Sequence, residues 1–197
     1  NKMDNVKILY TEKDREFVSC ILDILHEQTG AFIENQATIK ANITNEHFSN
    51  GETRVKIDTN VRDKHAFIVS RIRTGYINDD LIELLLIMDA CNRASVERIT
   101  VVMPYYPYSR SDKKDDGRSP IGAAMVANLL EKLNHSNIIS VDLHAGQIQG
   151  FLDCGFHNLY IKKYMCEYIY KNYLRYVPKE NWNKEFVLIA PDAGSAK

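Results

Sequence analysis

The nine residues from Arg110 to Arg118 include seven charged side chains, four of them the cations Arg110, Lys113, Lys114 and Arg118. A charge run alone is ordinarily a solvated loop. This one follows an apolar, β-branched run, Ile99–Met103, and precedes Ser119-Pro120. Ser can cap free N–H groups, and Pro at a first helical position gives up a donor that had no partner, so the pair predicts a helix start. Between a strand's carboxyl end and a helix N-terminus, free N–H groups and the helix dipole favour an anion. Four cations there make a clamp for a polyphosphate, and Arg110 can hold a phosphate through two N–H groups. The preceding Tyr105-Tyr106-Pro107-Tyr108 offers faces for a base or sugar, or packs.

Two further stretches carry acids at expected strand ends. In Ser140-Val141-Asp142-Leu143-His144, residues i and i+2 of an extended chain point the same way, so Asp142 and His144 are expected to project together. The spacing fits metal ligands, an acid/base pair or a structural hydrogen bond equally. For Mg2+, which prefers oxygen donors, Asp142 is the better ligand on chemistry alone. Pro191-Asp192-Ala193-Gly194 puts an acid after the apolar run Leu188-Ile189-Ala190, with small residues that admit close backbone approach. By itself that motif is weak. Phe48-Ser49-Asn50-Gly51-Glu52-Thr53 reads alone as a turn.

The elements that must position these residues alternate. Val6–Tyr10, Thr38–Asn42, Arg54–Asp58, Ala66–Ser70, Ile99–Met103, Ile138–Val141 and Phe186–Ala190 read as strands. Helical spacing runs over Asp14–Glu27, over Asp79–Ser95 with Asn78 or Asp79 as cap, and from Pro120 to Leu133. A further helix is expected between Asn158 and Lys184, with a loop at Pro178–Asn183. Strand, helix, strand in this order predicts an α/β fold on a largely parallel sheet, with ligands beyond the carboxyl ends of its strands.

Composition narrows the classes. Of 197 residues, 25 are basic and 26 acidic, a net charge of −1, so no global field draws the chain to nucleic acid or an anionic membrane. The longest apolar run, Leu84–Met88, is far shorter than the ~20 residues of a membrane helix. The first residues show no signal-peptide pattern, and Cys20, Cys91, Cys154 and Cys166 have neither metal-ligand nor disulfide-framework spacing. A cytoplasmic setting with reduced thiols is expected.

Taken in order, Phe48–Thr53, Asn78-Asp79-Asp80-Leu81-Ile82-Glu83-Leu84, Pro104–Lys114, Asp142–Asp153 and Pro191–Gly194 resemble the motifs of the ribose-phosphate pyrophosphokinase family. The likeness covers about residues 6 to 197, and Asp-Leu-His…Gln-Ile-Gln-Gly is its most specific part. The resemblance implies a phosphoribosyltransferase-like parallel-sheet fold with two similar domains. Residues 1–160 would be the first, holding the ATP and metal site and subunit contacts, and residues 161–197 the start of a second that is largely absent. It also implies transfer of the diphosphoryl group of ATP to the 1-hydroxyl of ribose 5-phosphate, giving phosphoribosyl pyrophosphate and AMP, with Mg2+.

Carried over position by position, Arg110, Ser111, Asp112, Lys113 and Lys114 would contact ATP. Phe48, Asn50, Gly51 and Glu52 would hold the adenine from a neighbouring subunit of a homodimer that builds into a hexamer. His144 and Asp192 would stand at the metal positions, with Asp142 and Asp153 as further acids, and Asp192 also at ribose 5-phosphate. The resemblance thus reverses two readings made from the residues alone, by favouring His144 and by giving Phe48–Thr53 a role. The family's catalytic Lys and Arg, and its ribose 5-phosphate loop, would fall after Lys197. Ser111 stands where the pattern has Gln, and Ser195 where it has Gly. Asn60 and Gly146 replace Ser of phosphate- and ADP-regulated members, which implies altered allosteric control. His157 replaces an Asp, and Ile161–Glu185 is longer and more basic than usual. A non-catalytic regulatory subunit of the same fold is the alternative.

Overall fold

The computed structural model describes residues 5–29, 39–133 and 137–190 of the chain. It separates into two units, Asn1–Leu159 and Tyr160–Lys197. The first contains seven strands: β1 (Val6–Tyr10), β2 (Lys40–His47), β3 (Thr53–Ile57), β4 (His65–Val69), β5 (Arg98–Val102), β6 (Asn137–Val141) and β7 (Gly155–Leu159). Its described α-helices are α1 (Arg15–Thr29), α2 (Ile77–Arg93) and α3 (Gly122–Leu133). The sheet order is β3-β2-β1-β4-β5-β6-β7. All neighbours are parallel except β2 and β3, an antiparallel hairpin at one edge. The mostly parallel α/β expectation is met.

Period-two alternation sends each strand's side chains to two different cores. In β1, Ile8 and Tyr10 pack with Val18 and Leu22 of α1, while Leu9 joins the opposite core. In β4, Phe67 and Val69 face the α1 side, and Ala66 and Ile68 face the other. That second core is closed by Leu81, Leu84, Met88 and Cys91 of α2 and by Ala123, Val126, Ala127 and Leu130 of α3. Both sets recur at three- and four-residue steps, which is how a helix turns one apolar stripe to a sheet. Leu9, Leu84, Met88 and Leu130 are fully buried, each contributing about 1.5–3 kcal/mol of apolar burial. The sheet holds helices on both faces and leaves its strand ends for ligands.

Several sequence expectations are corrected. β2 is longer than Thr38–Asn42, because its second half pairs with β3 rather than β1. β7 was not anticipated, since Gly155-Phe-His-Asn-Leu159 has no β-branched residue, and it forms by pairing with β6. α2 begins at Ile77, ahead of both proposed caps, and Tyr76 precedes it without a side-chain cap. α3 begins at Gly122, not at Ser119-Pro120.

The second unit holds α4 (Lys162–Asn172) and a short α5 (Trp182–Glu185). Trp182 Nε1 donates to the Val177 carbonyl at 3.0 Å, and Tyr170 meets the Trp182 ring edge-on. The expected loop at Pro178–Asn183 contains a 3-10 turn, Lys179–Asn181, and the first turn of α5. Phe186–Ala190 is not a strand: it has no partner strand among the described residues, and Val187, Leu188 and Ile189 are exposed. Among the described residues no helix is long and apolar enough to cross a membrane.

Candidate functional site

Chain order reverses between β1 and β4, the topological switch point where an open α/β sheet usually offers its crevice. Here that crevice is lined by a cluster of charged side chains. Lys13, just after β1, donates through Nζ to Asp80 at 2.9 Å and to Glu83 at 2.5 Å. Asp80 also accepts from Arg73, at 2.7 Å from its backbone N–H and 2.9 Å from Nη2. Asn45 of β2 donates to Glu83. Beside them, Arg71 Nε donates at 2.7 Å to Asp14, which is fully buried. Burial alone would push the Asp80 carboxyl up, but Arg73 and Lys13 together outweigh it and hold it below the usual carboxylate range. For Asp14, burial prevails over Arg71 and Lys13, and the carboxyl is pushed up. Sequence reading missed this cluster, because Lys13 lies 67 positions from Asp80 and 70 from Glu83. The available signal was acids at 80 and 83 set among the apolar positions Leu81 and Leu84.

The cationic loop and the Asp142–His144 segment lie beyond β5 and β6. After β5, Tyr106 is buried and its hydroxyl donates to the Ala123 carbonyl at 3.0 Å, while Tyr105 and Tyr108 remain exposed. The Tyr106 hydroxyl is pushed well above its ordinary range by burial, with the Cys154 and Glu131 charges adding. Tyr108 has φ +57, a left-handed conformation in a residue with a side chain, and its hydroxyl donates to Asn78 at the start of α2. That turn aims the next residues toward α3. Ser111 accepts at Oγ from Gly122 N–H (3.0 Å) and at its carbonyl from Ala123 N–H (3.0 Å). A residue eleven positions upstream thus serves the free N–H groups that Ser119 was expected to cap.

Arg110, Lys113 and Lys114 are exposed, and no carboxylate pairs with Arg110 among the described residues. Asp112 is half-buried and accepts from Gln147 Nε2 at 2.7 Å. This contact joins the cationic loop to the segment after β6. There Asp142 takes φ +43, its N–H donates to the Leu159 carbonyl (2.8 Å), and Leu143 N–H donates to Asn158 Oδ1 (3.1 Å). The chain has therefore left the extended form at Asp142, and the period-two argument for a shared face with His144 does not apply. Asp142 and His144 are nonetheless both exposed. Buried Ile148 anchors the 3-10 turn Gly146–Phe151, beyond which Asp153 is exposed and donates its N–H to Glu131. Among the described residues no group of three or more His, Cys, Asp or Glu comes together as a metal centre. Asp192 and its flanking Gly194 and Ser195 lie outside the described residues.

The Phe48–Glu52 turn joins β2 to β3. Phe48 N–H donates to the Glu52 carbonyl (2.8 Å), Gly51 takes φ +90, and Glu52 N–H donates to Asn50 Oδ1 (3.1 Å). Glycine suits that left-handed position. Phe48 is half exposed. β1 and β4 stand between β2 and β5, three strand spacings of about 4.8 Å each.

Residues 6–133 match the N-terminal domain of ribose phosphate pyrophosphokinase. The chain belongs to the ribose phosphate pyrophosphokinase family. It is 41% identical over 194 residues to Ribose-phosphate pyrophosphokinase A of Dictyostelium discoideum, covering 98% of this chain and 55% of that protein. Its fold matches the crystal structure of phosphoribosylpyrophosphate synthetase from Mycobacterium smegmatis with a TM-score of 0.73 and 34% identity, over 87% of this chain and 53% of the other. The chain spans about half the length of these ribose phosphate pyrophosphokinase relatives.

Proposed function

We propose that this chain is the nucleotide- and metal-binding part of a ribose-phosphate diphosphokinase, which moves the diphosphoryl group of ATP to the 1-hydroxyl of ribose 5-phosphate. The observation that carries the reading is the placement of the cationic loop. Arg110, Lys113 and Lys114 stand between the end of β5 and the N-terminus of α3, joined through Asp112 to Gln147 beside the Asp142–His144 segment. The ribose hydroxyl would attack the β-phosphorus, and AMP would leave with the bridging oxygen. Catalysis of this kind is mostly positioning and charge neutralisation, which an arginine and two lysines supply.

An exposed carboxylate and imidazole, Asp142 and His144, suit Mg2+ only as a partial donor set, leaving most of its shell to water and phosphate oxygens, the way Mg2+ commonly binds. Asp153 and Asp192 are assigned to the same function by the family pattern alone. When bound, Mg2+ would supply neutralisation of the phosphate charge. Phe48, Asn50, Gly51 and Glu52 would serve a neighbouring copy's adenine. A turn that serves a neighbouring copy calls for a homo-oligomer, with homodimers assembling to a hexamer. The same reading sets the reaction in the cytoplasm, where thiols stay reduced.

The full-length protein, given ATP, ribose 5-phosphate and Mg2+, should release AMP in step with phosphoribosyl pyrophosphate. Release of ADP, or of no nucleotide, refutes the reading. His144→Ala should lower the rate far more than it weakens ATP binding. The second reading, a non-catalytic regulatory subunit, draws on Ser111, whose hydroxyl is engaged with Gly122 where the family pattern has Gln. It calls for ATP binding without AMP formation.

A further inference from the structure

The stretch Asn78–Leu84 belongs to the family pattern, yet neither the nucleotide reading nor the metal reading gives it a task. Most of it serves the scaffold. Leu81 and Leu84 are buried in the core, and Asp80 and Glu83 belong to the Lys13 cluster. Asn78, in the first turn of α2, does something else: its Oδ1 accepts from the hydroxyl of Tyr108, 30 positions further along the chain. The helical turn that carries Asn78 is itself held, since Asp80 accepts from Arg73 Nη2 and from Lys13, both at 2.9 Å.

Tyr108 takes a φ of +57, which a bulky side chain seldom adopts and which persists only where neighbouring structure imposes it. Three contacts impose it here. The hydroxyl is tied to α2 through Asn78. The Cβ stands against α3, where a Cβ on Gly122 would come within 3.1 Å of it. The carbonyl accepts from Ser111 N–H at 3.0 Å, closing a turn around Ser109 and Arg110. Within that turn Ser109 is buried and Arg110 is exposed. The far end is fixed as well, because Ser111 accepts from the Gly122 and Ala123 N–H groups of α3. The turn bearing Arg110 is thus tied to α2 at one end and to α3 at the other. The tie to α3 is duplicated, whereas the tie of Tyr108 to α2 runs through one hydrogen bond between side chains. Among the described residues Arg110 has no carboxylate partner, so the turn sets where its guanidinium starts.

We infer that Asn78 is a positioning residue for phosphate recognition, setting through the Tyr108 hydroxyl the direction in which Arg110 leaves its loop. The inference rests on the proposed nucleotide site at Arg110 and adds to it a residue from a different element. A guanidinium on a fixed turn loses less freedom in gripping a phosphate than one on a loose turn. The tie therefore raises affinity while acting through Tyr108.

Calorimetric binding of ATP to the full-length protein tests the link. Asn78→Ala and Tyr108→Phe should each weaken ATP about fivefold, as expected for one lost hydrogen bond, and the double variant no more than either alone. Tyr108→Phe keeps the ring in place, so its effect reads the hydroxyl and not the packing. Arg110→Ala should weaken ATP by itself, and in that background neither change should matter further, an outcome that a merely structural role of Asn78 does not give. Unchanged affinity in both single variants, with loss in Arg110→Ala, overturns the inference and leaves the Arg110 site standing. Full additional weakening by Asn78→Ala in the Arg110→Ala background overturns it too, because Asn78 would then act elsewhere. Unchanged affinity in Arg110→Ala overturns the inference together with the reading on which it rests.

Discussion

Lys13→Met tests whether the ions at the switch point form one cluster or merely lie near each other. The Lys13 side chain is 10% exposed, and those of Asp80 and Glu83 are 2% and 6% exposed. With Nζ at 2.9 Å and 2.5 Å from two carboxylates, each attraction is roughly 6 kcal/mol at an effective dielectric of about 20. Desolvation of the three buried charges offsets most of it. Methionine removes the cation and leaves two carboxylates facing each other, with Arg73 on Asp80 and with Asn45 and Thr11 on Glu83. Breaking a buried pair in this way costs about 3–5 kcal/mol. In the wild type the depressed Asp80 carboxyl contributes stability that is present above about pH 4 and lost as the pH falls through its lower folded value. Without Lys13 the Asp80 carboxyl is held down chiefly by Arg73, so the mutant's deficit should shrink as the pH falls from about 5 to about 3. Urea unfolding at both values reads this directly. Lys13→Met/Glu83→Gln, which removes the uncompensated charge, should recover most of the loss. A deficit below about 1 kcal/mol, or one that does not change with pH, refutes the cluster as described.

Asp14→Asn should gain on the wild type as the pH rises above 3.8, because the raised Asp14 carboxyl makes ionisation progressively costly to the fold; parallel urea-unfolding series would show the crossover. Ser70→Ala should leave stability unchanged or raise it by about 1 kcal/mol in thermal unfolding, since among the described buried side chains the Ser70 hydroxyl oxygen has no hydrogen-bond partner. Gly122→Ala should lose about 1 kcal/mol and weaken ATP binding, as its Cβ would press on Tyr108 Cβ at 3.1 Å and Ser111 Cβ at 3.3 Å, against a small gain in helix propensity. Calorimetry and titration would show both effects.

What could be read from the sequence was what depends on near neighbours. Ile8, Leu9 and Tyr10 alternate faces as their period says, and the stripe Leu81, Leu84, Met88, Cys91 forms the helix its spacing implies. The charge run at Arg110–Arg118 lies between β5 and α3, as strand and helix signals indicated. What could not be read depends on residues far apart. Ser119-Pro120 carries a good local start signal, yet Ser111 takes the cap because the Tyr108 turn folds the loop back on α3. Phe186–Ala190 has the composition of a strand and no partner among the described residues, and β7 has the partner without the composition. In the site, Tyr105 and Tyr106 are identical in sequence, and only the closing of α3 over one of them makes the other available.

Lys13, Arg73, Asp80 and Glu83 also decide where this chain can be cut and rejoined. They come from separate segments, one after β1 and the others around the start of α2. A chimaera with a crossover between residues 14 and 71 would give Asp80 and Glu83 a partner from another protein, whereas one made after Arg93 would carry the set whole. Grafts of the Arg110 loop between family members are therefore compatible with the scaffold, and transplants of the β1 turn alone are not.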